Sequence, residues 1–151
     1  MQTIEPLLEA HPFFKGLDPK YLKLIEGCAS NVVFKADQFL FREGEEANRF
    51  FIIRSGRVQV EAFSGKNGPI IIQTRTAGEI FGWSWLIPPY RWRFDARATE
   101  LTRAIAIDGK CLRDKFEKDH DLGYEMMKRF APIIAERLEA TRIQLLDIYG
   151  K

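Results

Sequence analysis

The sequence predicts a mainly β domain with flanking helices: an antiparallel barrel, roll or sandwich, followed by a long C-terminal helix. Three observations predict it. From about Val32 to Ile107, short β-branched and aromatic runs alternate with glycine-containing turns. Before this stretch, and again after Asp108, apolar residues recur at helical spacing instead. The chain has 151 residues, the size of one domain that buries roughly two thirds of its unfolded surface.

The lead-in is helical, with Ile4, Leu7 and Leu8 on one face, then Phe13, Phe14 and Leu17, then Tyr21, Leu22, Leu24 and Ile25. Asp18-Pro19 reads as a helix start, because Asp accepts from free backbone N–H groups and Pro suits the first turn. Strands are expected at Val32–Phe34, Phe39–Phe41, Phe50–Ile53, Val58–Phe63, Ile70–Thr76, Phe94–Thr99 and Arg103–Ile107. Turn signals separate them at Glu43-Gly44-Glu45, Ser55-Gly56, Ser64-Gly65-Lys66-Asn67-Gly68-Pro69 and Ala77-Gly78. Val58, Val60 and Ala62 alternate with Arg57, Gln59 and Glu61, so the second set is expected on a wet face.

After Asp108 the pattern is helical to the end. Met127, Ala131, Ile134, Leu138, Thr141, Leu145 and Ile148 follow one another at alternating intervals of four and three. That is a heptad seam, and it predicts pairing of two such helices, with Pro132 loosening its first half; the competing interpretation is a helix that packs its apolar stripe on its own barrel. A single domain over 1–151 is expected: lead-in helices over 1–31, the β region over 32–108 and C-terminal helices over 109–151.

Charge and composition narrow the function classes. Lys and Arg number 23 and Asp and Glu 21, so the net charge is +2, which offers no general electrostatic footprint for nucleic acid or an anionic membrane. The first residues, Met1 to Glu5, show no basic-then-apolar leader, and no apolar run approaches the ~18 to 20 residues of a membrane span. A cytoplasmic protein is expected. Cys28 and Cys111 are far apart, with no CxxC and no paired His, and are expected as two buried structural thiols. Only His11 and His120 are present, both outside the β region, so metal, haem or His-based catalysis inside it is not expected. No cofactor and no catalytic residues are assigned.

The aromatic residues are unevenly placed. Phe81, Trp83, Trp85, Tyr90, Trp92 and Phe94 lie within 14 residues and include every tryptophan of the chain. The run Gly78-Glu-Ile-Phe-Gly82 enters a turn whose backbone N–H groups could hold a phosphate or carboxylate. Arg91, Arg93 and Arg97 could supply a cation, and the rings a flat surface. The competing interpretation is arginines on a solvated strand with tryptophans filling the barrel.

At these residues the chain resembles the cyclic nucleotide-binding domain family, the effector half of catabolite activator-type regulators and of cyclic nucleotide-dependent kinases and channels. The matching elements are Pro12-Phe13-Phe14-Lys15-Gly16-Leu17, Leu40-Phe41-Arg42-Glu43-Gly44-Glu45, Phe51-Ile52-Ile53-Arg54-Ser55-Gly56-Arg57-Val58, Gly78-Glu79-Ile80-Phe81-Gly82 and the long final helix. The resemblance implies an antiparallel β-roll or jelly roll, a double-stranded β-helix. It also implies a Phe-Gly-Glu segment whose Glu takes the ribose 2′-hydroxyl, and an Arg nine or ten residues later that pairs with the cyclic phosphate. Here Trp83 stands at the Glu position, the Arg position falls at Trp92 or Arg93, and Phe94 replaces a small residue. The family reads the base from the long helix, at the location of Thr141 and Arg142.

The ligand-contacting residues expected are therefore Phe81, Gly82, Trp83, Ser84, Trp85, Arg91, Trp92, Arg93, Phe94, Thr141 and Arg142. The expected function is a regulatory sensor module that takes a small nucleotide-like or anionic effector, binds cyclic AMP weakly or not at all, and forms a homodimer. In the alternative, Trp83, Trp85 and Trp92 fill the pocket and the chain serves as an interaction module for a protein partner. Nothing after the long helix reads as a helix-turn-helix, so direct DNA binding is not expected.

Overall fold

The computed structural model describes residues 4–63 and 68–150, the side chain of Phe63 excepted. The expected turn at Ser64-Gly65-Lys66-Asn67 lies outside them. Two compact units are present, Met1–Asp114 and Lys115–Lys151.

The first unit opens with α1 (Ile4–Ala10), a single 3-10 turn (Pro12–Phe14) and α2 (Pro19–Glu26). Asp18 caps α2 by accepting from the Lys20 N–H at 3.0 Å. Eight strands follow: β1 (Ala29–Phe34), β2 (Phe39–Phe41), β3 (Arg49–Ser55), β4 (Arg57–Phe63), β5 (Pro69–Thr76), β6 (Ile80–Phe81), β7 (Asp95–Ala98) and β8 (Thr102–Asp108). They form two antiparallel four-stranded sheets, ordered β1-β8-β3-β6 and β2-β7-β4-β5. Every strand expected from the sequence is present. The addition is β6, whose two residues are too few to show a period.

Strand β3 explains how the core divides. Successive side chains of a strand point to opposite faces. Phe51 and Ile53 therefore enter the roll, where they join Phe41, Val58, Phe81 and Trp92. Phe50 and Ile52 face the other way and are buried there with their cross-strand partners Ile107 and Ile105. Alanines at 96, 98 and 106 line the interior, leaving room for its large rings.

Two expectations are corrected. Glu61 is buried, although alternation places it on a wet face. The β4–β5 register shifts between Val60 and Glu61, and Arg97 on β7 covers the carboxylate in an ion pair. The cysteines are not free thiols, because Cys28 and Cys111 form a disulfide across 83 positions, with Cα atoms 5.9 Å apart. It fastens the α2–β1 junction to α3 (Gly109–Lys118).

The second unit consists of the end of α3 and α4 (His120–Tyr149), a helix of 30 residues that runs through Pro132. Asp119 caps it by accepting from the Leu122 N–H. Leu122, Met126 and Phe130 are its buried residues. The heptad seam is a different stripe: Met127, Ala131, Leu138, Thr141, Leu145 and Ile148 are exposed and Ile134 is half-buried. No helix among the described residues is long and apolar enough to cross a membrane.

Candidate functional site

The candidate segment starts at a braced turn. Gly78 has φ +88°, a conformation that favours glycine, and its N–H bonds the Ile53 carbonyl at 2.8 Å. Glu79 closes the turn by accepting from the backbone N–H and the hydroxyl of Thr76, both at 3.1 Å, and from Arg75. Burial alone would push the Glu79 carboxyl up, but these hydrogen bonds and the Arg75 charge together hold it below the usual value. His11 ties the lead-in to the same turn. Its Nδ1 accepts from the Phe13 N–H at 3.1 Å, leaving Nε2 to donate to the Gly78 carbonyl at 2.7 Å.

After β6 the chain passes Gly82, at φ +93°. A Cβ there would stand 3.0 Å from Trp92 Cη2, so glycine meets both a backbone and a packing requirement. Trp83 and Ser84 are half-buried at the start of a 3-10 turn (Ser84–Leu86). Trp85 is fully buried, stacked on the outward-facing Phe50 with ring centroids 5.1 Å apart. Gly109 lies against it so closely that a Cβ would come within 2.8 Å of Trp85 Cβ. Arg113 of α3 donates to the Trp85 carbonyl at 2.6 Å.

The segment then turns through a cis Pro88–Pro89 bond and Tyr90, whose φ is +58°. Trp92 exchanges backbone bonds with the β2–β3 loop, accepting from Gly44 at 2.9 Å and donating to Glu45 at 3.0 Å. Its side chain enters the roll and lies flat on Phe41, with centroids 3.6 Å apart and planes 7° from parallel. Arg91, Arg93 and Phe94 are exposed.

Arg97 belongs to a separate network. It bonds Glu61 at 3.1 and 3.2 Å, Asp37 at 2.8 Å and Gln59 at 3.3 Å. The hydrogen bonds to Glu61 raise its pKa against the opposing effect of burial, with the Glu61 and Asp37 charges adding to the rise. It is thus a compensated cation. Neither Glu61 nor Asp37 was identifiable from the sequence, since the bulge that buries one and the φ of +73° that turns the other leave only weak sequence marks.

The structure therefore brings Phe81, Gly82 and Trp92 together in the roll and sends Trp85 to the outer face of β3. Arg91, Arg93 and Phe94 stay at the surface. Thr141 and Arg142 are exposed on α4, where Arg142 pairs with Glu139 at 3.6 Å. Beside Trp92 is a cleft of about 480 Å³, lined by the rings of Phe41, Phe51 and Trp92 together with Glu45, Glu46 and Arg49. That volume lies within the range of ligand sites, roughly 300–1,000 Å³. Among the described residues no cluster of three or more His, Cys, Asp or Glu suits a metal ion.

The chain is thus a two-sheet antiparallel roll, preceded in sequence by short helices and followed by a long one, with a glycine-entered segment between β6 and β7. The model of the cyclic nucleotide-binding domain matches residues 31–119, and the chain belongs to that family. Among solved structures it is similar to a candidate cyclic nucleotide-binding protein of Geobacter metallireducens, at 30% identity and a TM-score of 0.80, covering 91% of this chain and 99% of the other. Among curated proteins it is 33% identical over 78 residues to a cAMP-dependent protein kinase regulatory subunit of Schizosaccharomyces pombe, covering 52% of this chain and 18% of the subunit. It is 21% identical over 145 residues to a CRP-like cAMP-activated global transcriptional regulator of Mycobacterium tuberculosis, covering 96% of this chain and 63% of the regulator. The chain thus spans less than two thirds of the length of these two curated relatives.

Proposed function

We propose that this chain is a non-enzymatic regulatory module that senses a small effector in its roll through contacts other than the cyclic phosphate and ribose pair. Cyclic AMP binds weakly or not at all. The observation that supports this most is the division between neighbours: Trp92 is packed inside the roll on Phe41, and Arg93 is exposed. Of the two residues that could occupy the family's phosphate-binding position, the inward one carries no charge. Arg91 is exposed like Arg93, and Arg97 is already compensated by Glu61 and Asp37. Trp83 at the acid position accepts no ribose hydrogen bond. A ligand group left unsatisfied on burial costs about 1–3 kcal/mol, and a lost charge-assisted bond about as much.

The effector is small and flat or anionic, taken beside Trp92. A second reading, a closed roll that binds nothing, is favoured by the close Phe41–Trp92 stack. Tryptophan emission separates the two. Saturable quenching or a shift with any member of a nucleotide and organic-anion panel supports the sensor. A spectrum that stays unchanged across the panel supports the closed module.

Dimerisation belongs to the same proposal, through the exposed stripe Met127 to Ile148. Sedimentation equilibrium is expected to give a dimer that Leu138→Glu converts to monomer; a monomeric parent chain would contradict the seam.

A further inference from the structure

A second, smaller cleft of about 210 Å³ is lined by Arg91, Lys110, Arg113, Tyr90, Glu46 and Asn48, with Pro89 at its edge. Three cations here meet one acid. Arg113 is held in place: its guanidinium lies over the Tyr90 ring, 4.2 Å from the centroid, and donates to the Trp85 carbonyl at 2.6 Å and to Asn48 Oδ1 at 3.2 Å. Asn48 Nδ2 in turn donates to Glu46 at 3.3 Å, so the single acid is already engaged. Arg91 reaches only the Gly44 carbonyl, at 3.4 Å. The Lys110 side chain forms no hydrogen bond or ion pair with a described residue, and none of the three cations is ion-paired among them. Asp108, two residues before Lys110, is committed to capping the Cys111 N–H and does not line the cleft.

Like charges gathered without a counterion repel one another, and a bound anion removes that cost. Lys110 also sits in the first turn of α3, whose N-terminus adds a partial positive charge. The geometry points to a binding site for a small oxyanion, a phosphate or carboxylate group, held between Arg91, Lys110 and Arg113. Arg113 presents a fork braced by Tyr90, suited to a planar or tetrahedral oxyanion, and Lys110 adds a mobile point charge. The anion joins the loop around Tyr90 and Arg91 to α3. The site stands whether or not the roll itself holds an effector.

The test is calorimetric titration of the full chain, at low ionic strength, with inorganic pyrophosphate and separately with citrate. Saturable one-site binding is expected for at least one of them, weakened by about tenfold or more in both Arg91→Glu and Lys110→Glu. Arg103→Glu, an exposed site on β8 with the same charge change, is expected to bind like the parent chain. Pyrophosphate binding without citrate assigns a phosphate group, and the reverse assigns a carboxylate. Absence of saturable binding to both anions overturns the site. So does full binding in Lys110→Glu, or an equal loss in Arg103→Glu, which would reduce the effect to overall charge.

Discussion

Trp85 and Trp92 stand seven positions apart on one segment and end in opposite environments. Trp85 is on the outer face of β3, stacked on Phe50, roofed by Gly109 and bonded through its carbonyl to Arg113. Trp92 is inside the roll, stacked on Phe41 beside an open cleft. The first niche is fastened covalently, because Cys28–Cys111 anchors the helix that supplies Gly109 and Arg113. The second is held by packing and by two backbone bonds to Gly44 and Glu45. An aromatic cluster in sequence is therefore not one site: Trp85 anchors the outer face of β3, and Trp92 packs inside the roll, in the space proposed above for an effector.

That contrast can be broken by truncation. Trp85→Ala leaves a closed void in a fully buried niche and is expected to cost about 3–5 kcal/mol in denaturant unfolding. Loss of the bridge in Cys111→Ser should cost about 2–4 kcal/mol and disappear as a difference when the parent chain is reduced. Trp92→Ala, next to a cleft that admits water, should cost less, about 2–3 kcal/mol. It should also change the response of the remaining tryptophans to effectors, whereas Cys111→Ser should not. If Trp92→Ala proves the more destabilising of the two tryptophan variants, the division between anchor and ligand space is wrong.

Most of the fold was legible because its signals are local. Glycine-bounded strands, the Asp18-Pro19 helix start and the periodicity after Asp108 each lie within one element. What was illegible depends on partners distant in sequence. The Cys28–Cys111 bridge spans 83 positions without a spacing motif. Burial of Glu61 requires both a bulge and Arg97 from another strand. For the candidate site, sequence order brought Trp83, Trp85 and Trp92 under one heading. Their partners lie on different strands: Trp85 stacks on Phe50, which β3 turns outward, and Trp92 on Phe41 of β2 inside the roll. Arg113 gave no signal, since its role arises from Tyr90, Asn48 and the Trp85 carbonyl converging on it.

The proposed function has the roll exchanging its cyclic nucleotide contacts for an aromatic interior. Calorimetric titration of the full chain with cyclic AMP and cyclic GMP tests it most directly. No saturable heat tighter than about 100 μM is expected for either nucleotide. A dissociation constant near or below about 1 μM, equivalent to roughly 8 kcal/mol of binding, would contradict it.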